Sequence, residues 1–147
     1  MIQALETKLQ FSFPEAYKAH LLLFNGGRCA PSSFTFKEDG KTTESAVHFF
    51  LAINGHPYND LLDYFETFKI DEKRMPNTIF PIAYDHNGNQ ICLDSLDGNI
   101  YFWDHEREVD YTIADDSDRS NLYFIASSLK EFLISLTPCE LDYHPPS

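Results

Sequence analysis

Residues 79–106 read IFPIAYDHNGNQICLDSLDGNIYFWDHE, and this stretch decides the fold. Two dipeptides in it, Asn87-Gly88 and Asp97-Gly98, are typical of two-residue type I′ hairpin turns, whose central residues need positive φ. The runs beside these dipeptides are rich in β-branched and aromatic residues, as strands usually are. The stretch therefore predicts a three-stranded antiparallel meander.

Two-residue turns would also determine which residues face each other across the meander. They would pair Asp85 with Gln90, Ala83 with Cys92, Ser95 with Ile100 and Cys92 with Trp103. Because side chains alternate along a strand, one face then carries an apolar set. Its members are Phe80, Ile82, Tyr84, Ile91, Leu93, Ile100 and Phe102. The opposite face carries Pro81, Ala83, Asp85, Gln90, Cys92, Asp94, Tyr101, Trp103 and His105.

The two faces lead to different expectations. The apolar face must pack against something and is predicted to be core. The other face mixes amphipathic rings with carboxylates, a composition that suits a hydrated protein-binding surface. Its candidate partner-binding residues are Asp85, Gln90, Asp94, Tyr101, Trp103 and His105. The alternative is that helices or loops cover this face and that Trp103 belongs to the core.

The composition indicates a globular domain. The 147 residues suit a single domain over 1–147, with a core of about 2–137 and a tail of 138–147. A hydrophobic fraction of 43%, including 13 Phe and 8 Tyr, supplies the core. Three scattered cysteines form no C-x-x-C pair and favour a cytoplasmic protein. Neither a secretory signal nor a membrane-spanning segment is predicted.

The charge balance limits the class of partner. The formal net charge is -12, from 23 acidic and 11 basic residues. Nucleic-acid binding is disfavoured, because phosphate contacts need clustered Lys and Arg. A basic partner is favoured instead, although acidity can also serve solubility alone.

Helices are predicted at both ends of the chain. Ile2, Leu5 and Leu9 have helical spacing, and a second helix begins at a capping box of Ser12 and Glu15. Asn25-Gly26-Gly27 is predicted to end that second helix. A final helix begins at a second capping box, Ser128 and Glu131, and Pro138 ends it.

The remaining predicted elements lie between these helices. A hairpin is expected from residues 33–36 and 47–53, followed by a helix over 60–68 with Asn59 as its cap. Further strands are expected at 109–114 and 123–126. Short connections favour antiparallel pairing, so the predicted fold is α+β, with a central, mainly antiparallel sheet and flanking helices.

Catalysis has little support in these residues. Asp94, Asp104 and His105 are the nearest approach to a catalytic or metal-binding cluster, and an enzyme centred on Asp94 and His105 is one hypothesis. In the predicted register, however, Asp94 and His105 lie on different rungs, while Asp104 points to the opposite face. No nucleophile motif is present. The expectation is a non-enzymatic protein without a cofactor or metal.

Four ordered motifs carry a resemblance to a known family. They are FPEAYKAHLLLFNGG at 13–27, IFPIAYDHNGNQICLDS at 79–95, GNIYFWDHE at 98–106 and IASSLKEFLISL at 125–136. In this order they resemble the SUKH superfamily, including its Smi/Knr cell-wall-assembly-regulator branch. The resemblance implies an α+β fold and a binding module without a known catalytic role.

The resemblance also suggests a function. Many bacterial members look like immunity proteins that neutralise secreted toxin domains, often nucleases or deaminases, by direct contact. The leading hypothesis is therefore an immunity or antitoxin-like protein that occludes a cognate toxin, a partner expected to be basic. The alternative is a regulatory module that binds an endogenous signalling or envelope-synthesis protein.

Overall fold

The computed structural model describes residues 2–139 of the chain, so residues 140–147 of the predicted tail lie outside the described part. The α-helices within that part are α1 (Ile2–Leu9), α2 (Glu15–Leu23), α3 (Leu61–Phe65) and α4 (Leu129–Ser135). The strands are β1 (Ser33–Glu38), β2 (Lys41–Ala46), β3 (Phe49–Phe50), β4 (Ile79–Tyr84), β5 (Gln90–Asp94), β6 (Ile100–Trp103) and β7 (Leu122–Ala126). A π-helical turn, Glu66–Asp71, continues α3, and a 3₁₀ turn, His105–Arg107, follows β6.

The strands form two antiparallel sheets. The larger sheet has the order β3-β4-β5-β6-β7, and β1 and β2 form a separate hairpin. The predicted meander is therefore confirmed as β4, β5 and β6, and the predicted α+β class is confirmed with it.

The two turns of the meander are longer than predicted. The Asp85 N–H donates to the Asn89 carbonyl (3.1 Å), which closes a loop over 86–88, and only Gly88 has positive φ in it. The Asp94 N–H donates to the Asn99 carbonyl (2.9 Å), which closes a loop over 95–98. Such loops place a single glycine in left-handed geometry, whereas a type I′ turn needs two residues there.

These longer loops change the pairing. Gln90 pairs with Tyr84 and Trp103, Cys92 pairs with Pro81 and Tyr101, and Ile100 pairs with Leu93. All four predicted pairs, Asp85 with Gln90, Ala83 with Cys92, Ser95 with Ile100 and Cys92 with Trp103, are therefore wrong. A bulge between Pro81 and Ala83 interrupts the side-chain alternation of β4, so Ile82 and Ala83 both reach the main core and most of the predicted apolar face is still buried.

The main core covers that apolar face. Phe80, Ile82, Ile91 and Ile100 are fully buried there. They pack with residues from all four helices and from β1, namely Leu5, Leu9, Tyr17, Leu21, Phe34, Phe36, Leu61, Phe65, Leu129 and Phe132. Ala83 joins this core and not the opposite face, while Tyr84 is only partly buried.

The opposite face of the meander is also covered, against the prediction of an exposed surface. A second cluster there contains Phe68, Met75, Ile79, Cys92, Trp103 and Leu122. Trp103 is 0% exposed, and its indole N–H donates to the Arg74 carbonyl (3.1 Å). Phe68 packs edge-on against the indole at a centroid distance of 5.2 Å. The segment after α3 therefore encloses Trp103, which belongs to the core.

One predicted hairpin pairing and one predicted strand are wrong. β1 pairs with the polar segment Lys41–Ala46 and not with 47–53, of which only Phe49–Phe50 is a strand. Most side chains of β2 are solvent-accessible, so its sequence lacks the apolar alternation that predicts a strand. Residues 109–114 are turns and irregular backbone.

Of the three predicted helix N-caps, Ser12, Asn59 and Ser128, only Ser128 is confirmed. Ser128 accepts a hydrogen bond from the Glu131 N–H (3.0 Å), as predicted. Pro14, and not Ser12, occupies the N-cap of α2, and no side chain caps that helix. Asp60, and not Asn59, caps α3.

Candidate functional site

An acidic cleft of about 450 Å³ opens between the β1–β2 hairpin and the end of the meander near the β4–β5 turn. Hereafter it is called the acidic cleft. Its titratable lining residues are Glu38, Glu44, Asp85, Asp104, His105 and Glu106. The β1–β2 hairpin supplies two of the five carboxylates, the β4–β5 turn supplies one, and the segment after β6 supplies two.

Two stacked aromatic rings also line the acidic cleft. Phe36 of β1 and Phe102 of β6 have ring centroids 4.3 Å apart and an interplanar angle of 19°. Both side chains are almost fully buried, at 4% and 6% exposure. Their contact joins the two sheets and gives the acidic cleft an apolar part beneath its charged rim.

A chain of hydrogen bonds fixes the side of the acidic cleft near the β4–β5 turn. Asp85 is 2% exposed and accepts bonds from the Ser45 hydroxyl and from the Asn89 side-chain amide, each at 2.9 Å. It also accepts from the backbone N–H groups of Asn87 and Asn89. A carboxylate with four donors is fully satisfied despite its burial.

The same chain extends to His105. The Asn89 side-chain oxygen lies 2.5 Å from His105 Nδ1 and also accepts from the His105 backbone N–H (3.1 Å). Because the Asn89 amide nitrogen donates to Asp85, its oxygen is the acceptor, which places a hydrogen on His105 Nδ1. The β2 strand, the β4–β5 turn and the 3₁₀ turn are thereby held in one arrangement.

The carboxylates of the acidic cleft form no ion pair within the part of the chain that the structure describes. Among residues 2–139, none of its five carboxylates lies within 4.0 Å of a Lys, Arg or His nitrogen. Arg107, which follows Glu106, instead contacts Asp39 (3.3 Å) and the Tyr123 hydroxyl (3.1 Å). The five carboxylates therefore line the cleft without an ion pair from the described residues.

The six predicted partner-binding residues do not form one surface. Asp85 and His105 line the acidic cleft, while Asp94 and Tyr101 lie toward the opposite end of their strands. Exposures of 3% for Gln90, 2% for Asp85 and Asp94 and 0% for Trp103 contradict the expected accessibility. Tyr101 and His105 are half-buried.

Four carboxylates that line the acidic cleft were not among the predicted partner-binding residues. Glu44 lies on β2, a polar segment where no strand was predicted, and Glu38 lies beyond the predicted end of its strand. Asp104 and Glu106 follow the meander directly, but the predicted register gave them no common site. The contact of Phe36 in the hairpin with Phe102 in β6 brings these carboxylates together.

Asp94, Asp104 and His105 do not meet in one site. Asp104 and His105 line the acidic cleft, and Asp94 lies near the β5–β6 loop at the far end of the sheet. Within residues 2–139, no group of three His, Cys, Asp or Glu side chains is arranged to hold a metal ion. No helix in that part of the chain has the length and apolar character needed to cross a membrane.

The fold and the acidic cleft together define an α+β protein with a concave, anionic cleft between its two sheets. The chain belongs to the SMI1/KNR4 family (SUKH-1), whose family model matches residues 1–135. It is similar to YokK, described as an uncharacterized SPbeta prophage-derived protein of Bacillus subtilis (strain 168), with 36% identity over 105 residues. The match covers 70% of this chain and 48% of YokK, so the chain spans about half the length of that relative.

Proposed function

We propose that this chain is an immunity protein that binds a cognate secreted toxin domain and neutralises it by stoichiometric occlusion. In this proposal the acidic cleft contacts a basic surface of the toxin, as a nuclease would present. The protein acts by binding and does not catalyse a reaction.

The acidic cleft carries the proposal. It is concave, its five carboxylates have no cationic partner among residues 2–139, and the whole chain has a net charge of -12. Complementary charge accelerates the encounter with a basic protein and disfavours acidic competitors. Membership of the SMI1/KNR4 family and similarity to a prophage-derived protein support a role of this kind.

The direct test is binding to the toxin-like product of a neighbouring gene. We expect a 1:1 complex by light scattering and loss of toxin activity at an equimolar ratio. Replacing Glu38, Glu44 and Glu106 together by Gln should lower the association rate constant by about tenfold, because steering by the cleft is weakened. Rates measured by stopped flow at two salt concentrations check this expectation.

A matched control removes the same charge elsewhere. The exposed residues Glu15, Asp63 and Asp71 lie outside the acidic cleft, and replacing them by Gln, Asn and Asn should change the rate much less. Equal losses in the two triple variants would assign the effect to net charge and not to the cleft. Failure to bind any neighbouring toxin, with binding to an endogenous signalling or envelope-synthesis protein instead, would replace this proposal by the regulatory alternative.

A further inference from the structure

A second cavity, of about 300 Å³, lies where the end of α2 meets β3 and α4, and it is called the apolar cavity hereafter. Its apolar lining residues are Phe24, Ala30, Pro31, Phe50, Leu133 and Leu136. None of the described residues that line it also lines the acidic cleft, so the two sites are separate. Small-molecule sites usually have volumes of about 300–1,000 Å³ and mostly apolar walls with a few polar groups, and the apolar cavity fits this description.

His20, which lines the apolar cavity, carries a buried polar atom without a hydrogen-bond partner. Its Nε2 has almost no contact with solvent and forms no hydrogen bond with residues 2–139. The imidazole packs against the rings of Phe24 and Phe50, at centroid distances of 5.9 and 5.3 Å. Burial lowers the pKa of His20 below its usual 6.5, so the ring is neutral at pH 7. A buried nitrogen without a partner is costly, and a ligand in the apolar cavity would supply the missing bond once the ring turned toward it.

Arg28 is the second polar group of the apolar cavity, and its charge has no carboxylate partner among the described residues. It is exposed, and its guanidinium lies 5.9 Å from the Phe49 ring centroid. No carboxylate of residues 2–139 lies within 4.0 Å of it. The chain contains 23 acidic residues, yet none is among the described residues that line the apolar cavity. In a protein with a net charge of -12, this cavity is therefore a place where an anion is favoured.

We propose that the apolar cavity binds a small molecule that has an apolar body and one carboxylate. The apolar body packs against Phe50, Leu133 and Leu136, while the carboxylate pairs with the Arg28 guanidinium. The His20 ring turns toward the cavity, so that Nε2 reaches the same carboxylate. A neutral amide in place of the carboxylate lacks the charge-assisted bond to Arg28, and an amine is repelled by it. The inference goes beyond the proposed function, because it concerns a separate site and a different class of ligand.

The test uses the full chain and sodium octanoate as the probe. We expect saturable changes in the NMR amide resonances of Gly26, Arg28 and Leu133, which line the apolar cavity. The amides of Leu96 and Ile113, whose apolar side chains are exposed elsewhere, should not shift at the same octanoate concentration. Octanamide has the same apolar body without the charge, so it should bind about fivefold more weakly or worse. Octylamine should bind more weakly still.

Arg28→Gln is the decisive variant, because Arg28 is exposed and its replacement leaves the core intact. We expect a loss of affinity for octanoate of about fivefold or more, since the charge-assisted bond is removed. Lys41→Gln is the matched control: it removes one positive charge from an exposed residue outside the apolar cavity and should have no effect. His20→Phe keeps an aromatic ring against Phe50 but removes the nitrogen, so it should weaken octanoate binding about threefold.

Several outcomes would overturn the inference. They are the absence of saturable shifts around the apolar cavity, equal shifts at Leu96 and Ile113, and equal binding of octanamide. Full affinity for octanoate in Arg28→Gln or in His20→Phe, or equal losses in Arg28→Gln and Lys41→Gln, would also do so. Light scattering adds one more: a dimer that octanoate dissociates would assign the apolar cavity to a second copy of the chain.

Discussion

Trp103 was predicted to be a partner-binding residue, and the structure shows that it is a core residue. The sequence placed it on a face rich in aromatic and acidic groups, where an exposed tryptophan would be a strong binding anchor. In the structure, Phe68 packs on the ring, the Arg74 guanidinium lies 5.0 Å from its centroid and the Arg74 carbonyl accepts its N–H. Its contribution is therefore to stability.

Trp103→Ala should destabilise the protein by about 3 to 5 kcal/mol, the usual cost of removing a fully buried large aromatic side chain. Urea denaturation checks this expectation, with Tyr101→Ala as the control on the same strand. Tyr101 is half-buried, so its truncation should cost clearly less. A loss below about 1 kcal/mol for Trp103→Ala would contradict the burial described here.

Lys69 is a second residue whose surroundings alter a measurable quantity, the pKa of its side-chain amine. Its Nζ donates to the carbonyls of Pro76 (2.8 Å) and Asn77 (3.0 Å), and it lies 5.6 Å from the Phe11 ring centroid. Burial lowers the pKa of the Lys69 amine from 10.5 to about 8. The folded state therefore favours the neutral amine more than the unfolded state does.

We expect an NMR titration of the lysine side chains to show one amine with a pKa near 8, and Lys69→Met should remove that signal. Because the pKa of the folded state is the lower one, this group should add stability as pH rises from about 8 to 10.5. Below pH 8 the amine is charged in both states, and the full cost of burial remains. A titration in which every lysine has a pKa near 10.5 would contradict this expectation.

At the scale of elements, the connection from α2 to the sheet depends on one close approach. Gly26 and Gly27 have φ values of +85° and +93°. A Cβ at Gly26 would lie 2.5 Å from Ala52 Cβ, whereas a Cβ at Gly27 would have no atom within 4 Å. Helix α2 itself ends at Leu23, so these glycines shape the chain beyond the helix and do not cap it directly.

Gly26→Ala and Gly27→Ala therefore separate backbone strain from steric overlap. Gly27→Ala should cost about 1 to 2 kcal/mol, because only the left-handed backbone is strained. Gly26→Ala should cost about 1 to 3 kcal/mol more, because the overlap with Ala52 adds to that strain. Thermal and urea unfolding of the two variants provide the comparison, and equal costs would show that the chain relaxes away from Ala52.

The elements that the sequence predicted best were those with strong apolar periodicity. The meander, α1 and the final helix with its Ser128 cap were identified correctly because burial imposes their patterns. β2 was missed because Lys41–Ala46 is mostly solvent-accessible, so its partner β1 and not its own sequence makes it a strand. The turns were misassigned because Asn-Gly and Asp-Gly also occur in loops with a single left-handed residue.

At the scale of the whole molecule, the site was harder to predict than the fold. The carboxylates of the acidic cleft come from separate segments of the chain, and the stacked Phe36–Phe102 pair brings those segments together. Net charge predicted a basic partner, but not where that partner would bind. Of the predicted partner-binding residues, Asp85 and His105 line the acidic cleft. The exposed surface that was expected around them is instead part of the core.

The covering of both sheet faces has a consequence for substitutions at the protein surface. Strand interiors are occupied by core residues, so accessible side chains lie on turns, strand ends and the β1–β2 hairpin. Glu44 and Glu106 are exposed, and substitutions there alter charge without removing core contacts. The surface charge around the acidic cleft can therefore be redesigned, while the two-faced core that holds the sheet together is left intact.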